Sequence, residues 1–164
     1  MWHIGSVNFI STTPRKILTL AGFIVITFCA PLAGMISPPG DWYASLAKPE
    51  WNPPAWIIGP AWTTLYLMMA IAAWLVWKRD GWRRPLWLYL VQLLFNAAWT
   101  PLFFGMHEIG WAVVEIVALW FAILVTGLTF LRVSKPAACL MLPYLAWVLF
   151  AAFLNFTLWR MNPG

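Results

Sequence analysis

The chain has 164 residues, is 63% hydrophobic and only 9% charged, and carries 14 tryptophans and a net charge of +5. That balance excludes a water-soluble domain, whose helices need polar faces. The cations are spread over short loops with no basic run, which excludes a nucleic-acid footprint.

Five stretches are apolar enough to cross a bilayer, a task that takes about 20 residues. They are residues 17–36, 55–77, 85–104, 110–131 and 137–159. The predicted fold is an all-α integral membrane protein: one five-helix transmembrane bundle over 1–164, with an ordered Pro/Trp-rich first loop. The first stretch is longer than the roughly 7–15-residue core of a secretory signal, so it reads as a mature helix. Cys29 and Cys139 fall within apolar spans and read as buried, inert thiols.

Alternation across five helices sorts the Lys and Arg residues. Eight of the ten fall on the side of the N-terminal arm, and only Lys48 and Arg160 on the other. By the positive-inside rule the N-terminus is cytoplasmic and the C-terminus outside.

The first loop, residues 37–54, holds Pro38, Pro39, Pro49, Pro53 and Pro54, which forbid one continuous helix. Trp42, Tyr43, Leu46 and Trp51 give it apolar surface to bury. The loop reads as a lid on the outer face, with a short helix within residues 41–48.

On the second span Trp62, Tyr66 and Met69 share a stripe, with Trp62 about 10 Å deep at 1.5 Å per residue. On the third, Tyr89, Gln92, Asn96 and Trp99 recur on one face. Carboxamides are costly against lipid, so this face points inward. The fourth span contains Glu115, the only ionisable group inside a span, and Trp120 on a different face. The fifth presents Trp147, Ala151 and Asn155 at intervals of four, the small Ala151 leaving room beside the indole.

Ten tryptophans (Trp2, Trp42, Trp51, Trp56, Trp74, Trp77, Trp82, Trp87, Trp111 and Trp159) sit in loops, the N-terminal arm or near helix ends and read as an interfacial belt. Trp62, Trp99, Trp120 and Trp147 lie deep. Three of those four reach similar depth under the first loop, together with Asn96 and Asn155. Two readings stand side by side: an apolar pocket with a few orienting donors, or carboxamides that simply join helices. His3 and His107 are isolated in different compartments, so no metal site is expected. The sequence holds no nucleophile triad, phosphate loop or carboxylate pair.

The motifs WYASLAKPEWNPPAWIIGPAWTTLY, NAAWTPLFFG and PYLAWVLFAAFLNFTLWRMN, in that order, resemble those of the TspO/MBR family over about residues 42–162. The resemblance implies a five-helix bundle, often a homodimer, that binds porphyrins, isoquinoline or benzodiazepine drugs and, in animals, sterols. It implies a pocket of Trp62, Tyr66, Asn96, Trp147 and Ala151, beside which the stripe reading sets Trp99 and Gln92, capped by Trp42, Tyr43 and Trp51. It also implies a sterol stretch of Leu154, Asn155, Phe156 and Arg160, with Phe156 where the family pattern has tyrosine.

Three functions follow as expectations. The first is a membrane receptor or sensor binding a tetrapyrrole such as protoporphyrin or haem, with its propionates held by Lys48 or Arg160 and a role in tetrapyrrole or stress regulation. The second is a light-dependent porphyrin-degrading enzyme using Trp62 and Trp147. The third is a porphyrin or sterol transporter. The first ranks highest; it needs no obligatory cofactor, and its partners are the bilayer and the small molecule.

Overall fold

The computed structural model describes residues 12–163. Trp2 and His3, read above as arm residues, lie outside them. All regular structure among the described residues is helical: α1 Thr12–Cys29, α2 Leu32–Ile36, α3 Asp41–Ser45, α4 Ala55–Asp80, α5 Arg84–Thr100, a π-helical turn Pro101–Gly105, α6 Ile109–Val133 and α7 Lys135–Met161. Five helical segments are long and apolar enough to cross a membrane: 14–36, 55–80, 84–105, 109–133 and 135–161.

Two spans differ from the continuous helices expected. The first breaks at Pro31, which has no N–H to continue the ladder. Ala30 closes a tight turn onto the Thr27 carbonyl, and Gly34 restarts the helix from the Pro31 carbonyl. The third widens into a π-turn at Pro101, where the Met106 N–H reaches back to the Pro101 carbonyl at 2.9 Å. A π-turn inserts an extra residue per turn, and here it swings Phe103 and Phe104 beneath the first loop.

The helices close a ring. α1 packs on α4, α4 on α7, α7 on α6, α6 on α5, and α5 meets α2. The turns between them are short. Gly81 ends α4 at φ +67°, a conformation that glycine adopts without strain. Ser134 starts α7 by accepting from the Ala137 N–H. At the same end the Trp74 indole donates to the Lys16 carbonyl, and Arg79 donates to the Val133 carbonyl.

Outward faces are apolar: Leu94, Leu142, Leu149 and Phe153 are all exposed. Such a surface belongs in lipid, since a soluble protein rarely leaves so much apolar area open. Both cysteines lie on this surface, correcting the expectation of buried thiols. The cause is helical phase. α1 turns Phe23 and Thr27 inward, and α7 turns Ala137 and Met141 inward, which leaves Cys29 and Cys139 facing away. Glu115 does not snorkel to the surface; both its carboxyl oxygens are buried without a hydrogen-bond partner among the described residues.

Candidate ligand-binding cavity

A polar chain runs across the bundle interior. Tyr66 on α4 donates to the Asn96 Oδ1 on α5 at 2.8 Å. Asn96 Nδ2 donates to the Tyr144 hydroxyl on α7 at 3.0 Å, and that hydroxyl donates to Gln92 Oε1 at 3.0 Å. Three helices are thereby tied at one level, and the four side chains are buried. Each such bond in a membrane bundle contributes about 0.6 kcal/mol on average and up to about 1.7.

Above this floor lies a cavity of about 520 Å³, within the size range of small-molecule sites. Trp62 and Trp147 form one corner, their rings 6.5 Å apart and nearly perpendicular at 87°. Trp62 also stacks on Tyr66 at 5.5 Å. The opposite wall is Trp99, stacked on Phe103 at 5.0 Å, with Phe104 edge-on to both. Ala151 keeps the space beside Trp147 open, and Ile116 and Leu119 of α6 close the back.

The first loop supplies the roof. Tyr43 of its α3 helix covers the cavity together with Pro39 and Pro53 on either side of that helix. Tyr43 lies edge-on to Phe103 and Phe104. Burial pushes the Tyr43 phenol above its usual value near 10, with the Asn52 side chain pulling the other way, so it stays a neutral donor. Asn162 at the end of α7 latches the loop: its Oδ1 accepts from the Ala47 N–H at 2.9 Å and its Nδ2 donates to the Ala47 carbonyl at 3.0 Å.

Of the residues singled out from the sequence, the lining includes Trp62, Tyr66, Asn96, Trp99, Trp147, Ala151 and Tyr43. Gln92 does not reach it. It lies a turn below Asn96, within the buried hydrogen-bonded floor. Trp42 stacks on His107 at 4.0 Å, and Trp51 stacks on Phe153 at 5.3 Å on the outer side of α7. These two indoles anchor the ends of the loop and leave the roof to Tyr43. Leu154 and Asn155 face the cavity, whereas Phe156 packs on Trp159 outside and Arg160 is exposed. The stretch expected to take a sterol is therefore split between two faces of α7.

Sequence reasoning missed Phe103, Phe104, Thr100, Phe150 and the α6 wall. The adjacent prolines and phenylalanines of TPLFFG were the available signal, since Pro101 sets the π-turn. Tyr144 was missed as well; a tyrosine amid leucines announces no partner.

Among the described residues no charged side chain lines the cavity. Trp99 spends its indole N–H on Asn155 at 3.0 Å, while those of Trp62 and Trp147 meet no protein acceptor among the described residues. The cavity thus offers flat apolar walls, two free indole donors and the remaining valences of Asn96. No cluster of three or more potential metal ligands occurs among the described residues.

A family model described as the TspO/MBR family matches residues 18–160. The chain belongs to the TspO/MBR family. It is 43% identical over 156 residues to the tryptophan-rich protein TspO of Chlorobaculum tepidum, covering 91% of this chain and 99% of that one. It is 45% identical over 128 residues to the human translocator protein, covering 75% and 76%, and 40% identical over 152 residues to the protein CrtK of Rhodobacter capsulatus, covering 90% and 95%. As a TspO/MBR protein with five apolar spans, it is a multi-pass integral membrane protein.

Proposed function

We propose that this TspO/MBR protein is a membrane receptor or sensor. Its cavity binds a flat, uncharged aromatic core of the tetrapyrrole, isoquinoline or benzodiazepine kind, and binding serves tetrapyrrole or stress regulation. The observation that carries the reading is the perpendicular Trp62–Trp147 corner with unspent indole donors above the Asn96 floor. A ring stacks on one indole while its edge meets the other, the geometry that aromatic quadrupoles favour. The name of a 40% identical relative from Cereibacter sphaeroides, tryptophan-rich sensory protein, agrees with a sensor. With the N-terminus cytoplasmic, as the Lys and Arg distribution implies, the cavity opens toward the outer half of the bilayer.

The uncharged lining constrains how a tetrapyrrole sits. Its propionates cannot be buried unpaired. The sequence expectation gave them to Lys48 or Arg160. Lys48, however, donates to the carbonyls of Tyr43, Ala44 and Leu46 and lies over the Tyr43 ring, and Arg160 belongs to the outward face. In this reading the propionates extend past the roof into water. A porphyrin dimethyl ester then binds as well as the free acid, within about twofold. Tenfold weaker binding of the ester would mean a cation holds the propionates and would overturn this pose.

A second reading, light-driven porphyrin degradation, is favoured by the Trp62–Tyr66 stack at 5.5 Å. An excited porphyrin would take one electron from the Trp62 indole, dioxygen would add to the resulting porphyrin radical anion, and the electron would return to the indole cation steadied by the stacked Tyr66, so that one O2 is added to the macrocycle in all. Illumination of the complex in air, comparing the wild type with Trp62→Phe/Trp147→Phe, tests it. Equal product yields from both would reduce the reaction to free-solution photochemistry.

A further inference from the structure

A groove of about 750 Å³ runs outside the bundle, between the first turn of α6 and the last turn of α7, with Trp42 and Leu46 of the loop along its edge. It is separate from the cavity: the Asn155 side chain, donating to the Ile109 carbonyl at 3.2 Å, stands between them. Both flanking helices cross the membrane, so the groove lies at a membrane boundary whichever way the protein is inserted.

Three features describe its occupant. First, the groove continues onto lipid-facing surface. Trp111 at its mouth is 65% exposed and Val114 59%, and the stripe runs on through Val117, Phe121, Val125 and Leu128 along the length of α6. Second, it carries one acidic side chain, the exposed Glu108, next to His107, whose ring is stacked on Trp42. That residue precedes α6 yet makes no capping hydrogen bond, and among the described residues the single ion pair is Arg83–Asp80 elsewhere. Third, the Trp111 and Trp159 indole N–H groups meet no protein acceptor among the described residues. An apolar track, an unpaired carboxylate and two free donors complement an acyl chain, an ammonium group and phosphate or ester oxygens.

We propose that this groove is a binding site for a zwitterionic, amine-headgroup phospholipid of the phosphatidylethanolamine class. The ammonium pairs with Glu108, the phosphate and ester oxygens accept from Trp111 and Trp159, and an acyl chain lies along the exposed stripe of α6. The carboxylate makes the site select against anionic headgroups that lack an amine.

Native mass spectrometry of the full chain released from detergent tests this. Phosphatidylethanolamine and phosphatidylglycerol with identical acyl chains are compared as probes. The wild type should retain the ethanolamine lipid on the order of three- to fivefold more, the discrimination a partly exposed charge pair supports. Glu108→Gln should abolish the preference and Glu108→Lys should invert it. Trp111→Ala should lower retention of both lipids. Glu108 is exposed and uncapped, so these variants keep the fold, which circular dichroism checks. Equal retention of the two lipids by the wild type, or an unchanged preference in Glu108→Lys, would overturn the assignment.

Discussion

The indole N–H of Trp99 donates to the Asn155 Oδ1 at 3.0 Å, joining the third span to the fifth across the cavity wall. The same carboxamide donates to the Ile109 carbonyl at the start of α6. One side chain thus fixes three spans. Asn155→Leu should lower thermal stability and weaken ligand binding together. In a double-mutant cycle with Trp99→Phe the two losses should be sub-additive, with a coupling of about 0.6–1.7 kcal/mol. Strict additivity in thermal melts would show that the bond contributes nothing.

The Asn96 floor makes a sharper demand. Replacing Asn96 with Leu removes the acceptor of the Tyr66 hydroxyl and a donor to the Tyr144 hydroxyl, which keeps Gln92 as its partner. Leaving buried groups unsatisfied costs about 1–3 kcal/mol. Tyr66→Phe introduced into the Asn96→Leu background should recover part of the lost stability, because it deletes an orphaned hydroxyl. Further destabilisation by the second change would contradict the network as described.

How far the sequence made this legible varies by residue. Asn96, Gln92 and Asn155 announced an inward face because a carboxamide within an apolar span is costly against lipid. Which hydroxyl or indole each would meet was not legible, since that depends on helix rotation and level. Gln92 shows the consequence: it is on the right face, yet one turn too deep to line the cavity. Trp42 and Trp51 were expected to cap the pocket together with Tyr43, and which surface each would meet instead was not legible, because the path of a proline-rich loop is set by tertiary contacts such as the Asn162 latch. The break at Pro31 and the π-turn at Pro101 had clear local causes, but proline inside a span need not break it. Pro60 and Pro143 lie within intact helices.

The latch should govern access. Asn162→Ala removes both hydrogen bonds to Ala47 while leaving the cavity walls untouched. Ligand association and dissociation should both accelerate, with equilibrium affinity changing less than about threefold. Stopped-flow tryptophan quenching reads the two rates. Unchanged rates would mean that the loop is not the way in.

Gly105 ends the π-turn against Ser37 below the loop. A Cβ there would meet Ser37 Oγ at 2.7 Å and its Cβ at 3.3 Å. Gly105→Ala should therefore destabilise the protein by about 1–3 kcal/mol, and Ser37→Gly in the same chain should restore most of that. A melt of Gly105→Ala at the wild-type temperature would show that the contact is loose.

The most direct test of the cavity assignment is a porphyrin titration of the purified protein in the dark, followed by tryptophan quenching, with the wild type, Trp147→Ala and Trp51→Ala side by side. Trp147 forms the cavity corner and Trp51 stacks outside it on Phe153. Saturable, micromolar quenching that weakens at least about tenfold in Trp147→Ala and less than about twofold in Trp51→Ala is the predicted result, since removing a buried aromatic contact costs more than about 1.4 kcal/mol. Unsaturable quenching that is the same in all three proteins would mean porphyrin only partitions into detergent, and the deep tryptophans would be packing residues.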